Sequence, residues 1–77
     1  MKILVSKLAR EIDVKQLQDL FSSYGDVESC NIILDKDSGK SKGFGFVEMP
    51  KDTTAKAAIR SLNGKKVAGE RIRVREA

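Results

Sequence analysis

A short segment near the middle of the chain contains the side chains best suited to bind a ligand. Residues 42–49 read KGFGFVEM, with two phenylalanines two positions apart and a lysine before them. Because successive side chains of a β-strand point to opposite faces, Lys42, Phe44 and Phe46 would share one face of a strand here. Aromatic rings stack on planar groups and an ammonium group binds anions. This face therefore suits a ligand that has both flat rings and negative charge.

The same alternation argues against a buried position for the two phenylalanines. Val47 and Met49 fall on the opposite face, together with two glycines whose small size is expected to let helices approach the sheet closely. If the phenylalanines were buried instead, Lys42 and Glu48 would be buried with them, which is costly for charged groups. The pattern therefore predicts that both phenylalanines lie on an open surface.

The elements that position this strand begin with another strand and a helix. Residues 1–8 contain an aliphatic, β-branched run typical of a strand, and apolar residues recur at helical spacing over 14–24. Asp13 and Gln16 have the spacing of a capping box at the start of this helix. Gly25 is expected just after its end, with a positive φ.

Two more strands follow this helix. Residues 27–34, rich in valine and isoleucine, predict the second strand, and residues 43–49 predict the third. The polar stretch 35–42 between them is typical of a turn, so the two strands should be antiparallel neighbours. Pro50 ends the third strand because it cannot donate a hydrogen bond to a β-ladder.

The last third of the chain predicts a helix, a hairpin and a final strand. Asp52 or Thr53 is expected to cap the second helix, which ends at Asn63. Val67 is expected in a short edge hairpin. Residues 71–76 alternate between basic and apolar side chains and predict an amphipathic last strand.

The element order β-α-β-β-α-β defines the fold class, an α+β, ferredoxin-like sandwich. Right-handed crossovers place both helices on one face of a four-stranded antiparallel sheet. The expected strand order is 4-1-3-2, with the first and third strands in the middle. The other face of the sheet is left without cover, which is the face assigned to the two phenylalanines.

Composition limits the classes of protein to which the chain can belong. Its 77 residues predict one domain, residues 1–77. One cysteine and no histidine exclude an internal disulfide and the usual zinc sites, and no cofactor is indicated. The absence of an apolar run long enough for a signal peptide or a membrane span predicts an intracellular, cytoplasmic protein without membrane contact.

The basic charge is concentrated at one end. The net charge is +4, and residues 64–77 alone carry five basic and two acidic side chains. Such a cluster favours a polyanionic partner, although a merely solubilising surface explains the charge about as well.

Residues 42–49, in this topology, resemble the basic-Gly-aromatic-Gly-aromatic-aliphatic signature of the RNA-recognition motif family. Residues 3–8 fall where that family has its first-strand hexapeptide, and residues 62–64 and 69–74 resemble its second-helix end and last strand. The resemblance covers essentially the whole chain. In length the chain is similar to the small single-domain members found in bacteria.

The resemblance implies that single-stranded RNA binds on the open sheet face, by base stacking on aromatic rings and by phosphate contacts. Asn31 is expected to hydrogen-bond a base edge, and the loop 36–40 to clasp the strand. The sequence does not distinguish RNA from single-stranded DNA as the ligand. The predicted binding residues are Phe44, Phe46, Lys42, Leu4, Arg73, Arg75, Asn31, Lys7 and Lys40.

Two positions depart from the family pattern. Leu4 stands where the hexapeptide usually has an aromatic residue, so a third stacking surface is missing. Lys7 stands where asparagine is frequent, which adds a charge and removes an amide. Together they imply weaker, more electrostatic binding of modest sequence selectivity.

Two other functions remain open at this stage. The first is a protein-interaction module of the same fold, in which Leu4, Ile33 and the two phenylalanines form an apolar patch for a peptide or a second copy. The second is a small enzyme, which the lack of histidine and of a clustered acid–base pair disfavours. The expected protein is a monomer that is not an enzyme and has no small-molecule substrate.

Overall fold

A computed structural model describes residues 1–77, apart from the side chain of Ser41. The elements follow the predicted order, including the short hairpin around Val67 before the last strand. Among the described residues, no helix is both long and apolar enough to cross a membrane. The elements are β1 (Lys2–Ser6), α1 (Val14–Ser22), β2 (Ser29–Leu34), β3 (Ser41–Glu48), α2 (Asp52–Leu62), β4 (Lys66–Val67), β5 (Glu70–Arg71) and β6 (Arg73–Glu76).

The main sheet has four antiparallel strands in the order β2-β3-β1-β6. This is the predicted order read from the other edge, because β6 is the strand that the sequence places fourth. The two central strands, β3 and β1, are therefore the ones that carry the phenylalanines and Leu4.

One face of this sheet packs against both helices, as the alternation predicts. Strand residues of one parity and the apolar stripes of α1 and α2 form a single core, in which most side chains are completely inaccessible to solvent. Burying these side chains is the main favourable contribution to folding. The core residues on the strands are Ile3, Val5, Val47 and Val74, joined by Leu17 and Phe21 from α1, by Ala55, Ala58 and Leu62 from α2, by Met49, and by Ile72 between β5 and β6.

The start of α1 is as predicted and its end is not. Asp13 accepts a hydrogen bond from the backbone N–H of Gln16, whose side chain accepts one from the Asp13 N–H, which completes the capping box. The helix ends at Ser22, and Gly25 does not have a positive φ. A Cβ atom on Gly25 would lie 2.7 Å from Cβ of Thr54, so glycine is needed where this turn approaches α2.

The expected side-chain cap of α2 is also wrong. Lys51 is the N-cap residue and its side chain makes no capping hydrogen bond. Asp52 already lies in the first turn, where its negative charge interacts favourably with the positive end of the helix dipole and stabilises the helix. Thr54 donates its hydroxyl to the Lys51 carbonyl oxygen, 3.0 Å away.

The glycines of β3 allow the backbone of neighbouring segments, rather than the helices, to approach this strand closely. A Cβ atom on Gly45 would overlap the carbonyl oxygen of Asn31 on β2. Gly43 has a φ of +87°, and a Cβ atom there would lie 3.3 Å from the carbonyl oxygen of Leu8. The expectation that these glycines admit the helices is therefore wrong.

The hairpin around Val67 is confirmed, and it takes Arg71 from the predicted last strand. Arg71 pairs with Lys66 across the hairpin, and β6 begins only at Arg73. Ala68 and Gly69 both have positive φ values, +51° and +86°, as in the tight turns that suit the twist of a two-residue hairpin.

The outer edge of β6 is covered by the chain that follows α2. Asn63 Oδ1 accepts a hydrogen bond of 3.1 Å from the backbone N–H of Val74, and the N–H of Gly64 donates to the Ile72 carbonyl oxygen. These bonds satisfy polar groups on a strand edge that would otherwise be free to pair with other chains.

Replacing Asn63 by alanine is expected to lower the free energy of unfolding by about 1 kcal/mol, because the Val74 N–H loses its acceptor. Urea denaturation of the variant against the wild type measures this loss. Asn63→Asp keeps an acceptor oxygen at the same position and should lose less. An equal loss in the two variants would contradict the role assigned to the amide oxygen.

Candidate nucleic-acid interface

The register of the sheet sets four predicted residues in one row across its open face. Asn31 of β2 lies opposite Phe46 of β3, Phe46 opposite Leu4 of β1, and Leu4 opposite Arg75 of β6. Phe46 and Leu4 are half-buried, whereas Asn31 and Arg75 are exposed. The row therefore has an apolar centre with an amide at one end and a cation at the other.

A second row runs beside the first. Phe44 lies opposite Ser6, and Ser6 lies opposite Arg73. Phe44 is half-buried and Arg73 is exposed. The placement of both phenylalanines on the open face, and of both arginines beside them, is as the sequence predicts.

The two phenylalanine rings are perpendicular. Their centroids are 6.5 Å apart and their planes meet at 88°, an edge-to-face arrangement that is itself favourable. Two planar groups that stack on these rings cannot be parallel to each other. The surface therefore suits rings that are splayed apart better than the parallel bases of a duplex.

Lys2 adds a cation that the sequence reasoning missed. Its Nζ atom lies 4.7 Å from the centroid of the Phe46 ring, within the range of a cation–π interaction. Lys2 has the same parity as Leu4 on β1, and strand alternation alone could have identified it. A base that stacks on this face of the ring must displace the ammonium group, which can then pair with a nearby phosphate.

A shallow cleft surrounds the rings, and we call it the aromatic cleft. Lys42 and Lys7 line it, as predicted, together with Arg10, which the sequence reasoning missed. Arg10 lies in the connection between β1 and α1, where no periodic pattern indicates which way a residue points. The residues that line the aromatic cleft are Leu4, Ser6, Lys7, Leu8, Arg10, Lys42, Gly43, Phe44 and Phe46.

Lys40 is not brought to the aromatic cleft. It lines a different cleft with Val14 and Leu34, at the end of the turn between β2 and β3. That turn is organised by Asp35, whose Oδ1 accepts hydrogen bonds from the backbone N–H groups of Asp37 and Ser38. The loop 36–40, which is expected to hold the bound strand, therefore lies apart from the two phenylalanine rings.

Cys30 faces α1 and is poorly suited to nucleophilic chemistry. It is half-buried, and its Sγ lies 3.7 Å from the carbonyl oxygen of Val14. Burial raises the pKa of the thiol above its usual value, so the reactive thiolate is disfavoured at neutral pH. Among the described residues, no group of three or more acidic, cysteine or histidine side chains could hold a metal ion.

The amino-acid sequence of this chain matches the model of a known family over most of its length. The family model described as "RNA recognition motif" matches residues 3–73. The chain belongs to the RNA recognition motif family. The 29 kDa chloroplastic ribonucleoprotein of Arabidopsis thaliana is 42% identical over 76 residues, which are 99% of this chain and 22% of that protein. This RNA recognition motif thus spans about a fifth of the length of that relative.

Solved structures share the fold of this RNA recognition motif over almost its whole length. The crystal structure of RNA-binding protein PG1 has a TM-score of 0.97 at 38% identity and covers 100% of this chain and 93% of that one. The Sex-lethal protein in complex with RNA has a TM-score of 0.94 at 30% identity, covering 99% and 46% of the two chains.

Proposed function

We propose that this RNA recognition motif binds single-stranded RNA on the open face of its sheet. The observation that carries the proposal is the perpendicular pair Phe44 and Phe46, half-buried at the centre of that face. Bases of a single strand can be splayed to stack on such rings. The complex of the related Sex-lethal protein with RNA supports the same ligand class.

The charges around the rings are assigned to the phosphates. Lys42 at the start of β3 and the exposed Arg73 and Arg75 on β6 flank the aromatic centre. Phosphate contacts of this kind position a strand and contribute affinity but carry no base information. With Leu4 in place of an aromatic residue, and Asn31 as the one predicted contact to a base edge, the expected sequence selectivity is modest.

The domain is proposed to act by binding rather than catalysis, as a cytoplasmic monomer without a cofactor. A raised thiol pKa at Cys30 supports a non-catalytic role. The second candidate function is protein interaction through the apolar centre of the face, which Leu4 favours because it adds apolar area without a stacking surface.

Salt dependence separates the two functions. Binding of a fluorescent oligouridylate, titrated by anisotropy at several salt concentrations, should weaken as the salt concentration rises. The slope of the logarithm of the binding constant against the logarithm of the salt concentration should be about −0.7 for each phosphate neutralised. Replacing Arg73 and Arg75 together by glutamine should therefore reduce the magnitude of the slope by about 1.4. Apolar association with a protein should be almost indifferent to salt.

Lys56 provides the matched control. It is exposed on α2, on the side of the sheet away from the rings, so Lys56→Gln removes a charge without touching the open face. Its salt slope should equal that of the wild type.

A duplex of the same length should compete poorly with the single-stranded oligouridylate. A slope that is unchanged in the arginine variant, or equal competition by the duplex, would refute the proposed function.

A further inference from the structure

The main sheet has one covered edge and one open edge. The outer edge of β6 is bonded to the chain that follows α2, whereas β2 is the last strand on the other side, and no strand of the described chain pairs with its outer edge. Asn31 of β2 directs its carbonyl oxygen toward Gly45 of β3. Because successive carbonyl groups of a strand point to opposite edges, those of Cys30 and Ile32 face outward.

β2 has few of the features that keep an open edge from pairing with another chain. Its six residues, Ser29–Leu34, include no charged side chain and no proline. Its register against β3 shifts between Ile32 and Leu34, near the end of the strand, and is regular before that point. An uncharged strand with outward-facing backbone groups can accept an extended peptide as a neighbour, which is the recognition mode called β-strand addition.

The helix side of this edge carries exposed apolar groups. Among the described residues, Val14 and Leu34 are the large apolar side chains with high exposure, at 42% and 55%. Both line one cleft together with the half-buried Ile32, between the start of α1 and the end of β2, and we call it the β2 cleft. A peptide beside β2 would direct every second side chain over this cleft. The cleft therefore favours apolar side chains at alternate positions of the peptide.

The two ends of β2 are acidic, although the protein as a whole is basic. Residues 26–37 carry four acidic side chains and one basic one, a net charge of −3, whereas the net charge of the chain is +4. The charges that line the β2 cleft itself, two acidic and two basic, balance. The acidic strand ends repel phosphates, and they would also repel the same edge of a second copy. The acidic residues are Asp26 and Glu28 before β2, and Asp35 and Asp37 after it.

We propose that the outer edge of β2 binds an extended peptide segment of a partner protein, which joins the main sheet as a further strand. The peptide has apolar side chains at alternate positions, which cover Val14 and Leu34, and basic side chains at its two ends, which face the acidic ends of β2. Backbone hydrogen bonds to Cys30 and Ile32 contribute the affinity, and the side chains contribute the selectivity. This site is separate from the phenylalanine rings, so it does not depend on the proposed binding of RNA.

A synthetic peptide that alternates isoleucine and threonine between two terminal arginines tests the proposal. It is titrated into the isotopically labelled protein while amide chemical shifts are recorded. The signals of Val14, Cys30 and Ile32 should shift, and those of Phe44 and Phe46 should not. The amides of β2 should also exchange more slowly with solvent deuterium, because they gain hydrogen-bond acceptors.

Two modified peptides are the controls for this titration. The first has N-methyl groups on consecutive central residues, so that neither of its edges can donate to a β-ladder, and it should bind poorly. The second has glutamate in place of both arginines. It should also bind more weakly, because its ends carry the same charge as the ends of β2.

Two variants separate the apolar and the electrostatic contributions. Leu34→Ser should lower the affinity for the arginine peptide about 4- to 12-fold, since the peptide would bury about half of a leucine side chain. Glu28→Gln should lower it about 1.4- to 5-fold, as expected for an exposed ion pair. Both side chains are exposed, so both variants should fold. Glu70→Gln removes an acid from the hairpin near the other edge and should bind the peptide as the wild type does.

Several results would overturn the proposal. The signals of β2 could remain unchanged at about 1 mM peptide, or the N-methylated peptide could bind as well as the parent. Shifts of Phe44 and Phe46 instead of β2 would place the peptide on the open face. Shifts of β2 caused by an oligouridylate alone, or by raising the protein concentration alone, would show that the edge takes RNA or a second copy.

Discussion

Replacing Phe44 and Phe46 together by alanine is expected to lower the affinity for single-stranded RNA by about 30-fold to 20,000-fold. Each base stacked on an aromatic side chain contributes about 1–3 kcal/mol, and the variant removes both rings from the open face. With 1.4 kcal/mol per factor of ten, two lost stacks give this range. Anisotropy titration of a fluorescent oligouridylate measures the change.

The fold should survive this double substitution. Both rings are half-buried on the face that the helices do not cover, and neither belongs to the core. The loss in stability should be limited to the edge-to-face contact and the apolar area of the rings, which a thermal melt followed by circular dichroism would measure. A melt without a cooperative transition would show that the rings have a structural role that the half-buried positions do not indicate.

The double substitution of Phe44 and Phe46 by leucine separates stacking from apolar contact. Leucine retains most of the apolar area of phenylalanine but has no aromatic face. If stacking carries the affinity, the leucine variant should bind RNA almost as weakly as the alanine variant. RNA affinity close to the wild-type value would instead indicate that the face works as an apolar patch, as a protein-interaction module requires.

The residues on the face could be predicted because strand alternation is a local property. The spacing of Phe44 and Phe46, and of Arg73 and Arg75, decides which side of its strand each residue occupies. Antiparallel pairing then brings the strands together in one sheet. Lys2 has the same parity as Leu4 on β1, so the same rule places it on the open face.

Positions in loops and at helix ends could not be predicted in the same way. The sequence predicts Gly25 at a helix end, but glycine is needed there because Thr54 of the other helix lies against it. Arg10 and Lys40 lie in connections whose paths depend on contacts between residues distant in sequence. Arg10 therefore lines the aromatic cleft although the sequence does not predict it, and Lys40 does not line that cleft although the sequence predicts it as a binding residue. The alternation of side chains along a strand decides which face each residue occupies, whereas contacts between residues distant in sequence decide the paths of the loops.

Replacing Leu4 by phenylalanine is expected to raise RNA affinity about 5- to 150-fold. Leu4 lies directly between Phe46 and Arg75 in the central row, and one additional base stack contributes about 1–3 kcal/mol. The larger side chain should be tolerated because Leu4 is on the open face, unlike its neighbours Ile3 and Val5, which are completely buried. Anisotropy titration with an oligouridylate long enough to stack on three rings measures the gain.

The control for this substitution is Leu4→Met, which changes the side chain but adds no aromatic face. Its affinity should stay close to that of the wild type. If methionine raised the affinity as much as phenylalanine, the central row would bind through apolar area alone. The gain from phenylalanine should also persist when Phe44 and Phe46 are alanine, but only as one stack, because a ring at position 4 sits on β1 and does not need the rings on β3 to present its own face. Loss of the whole gain in that background would mean that the ring at position 4 works only in contact with Phe46.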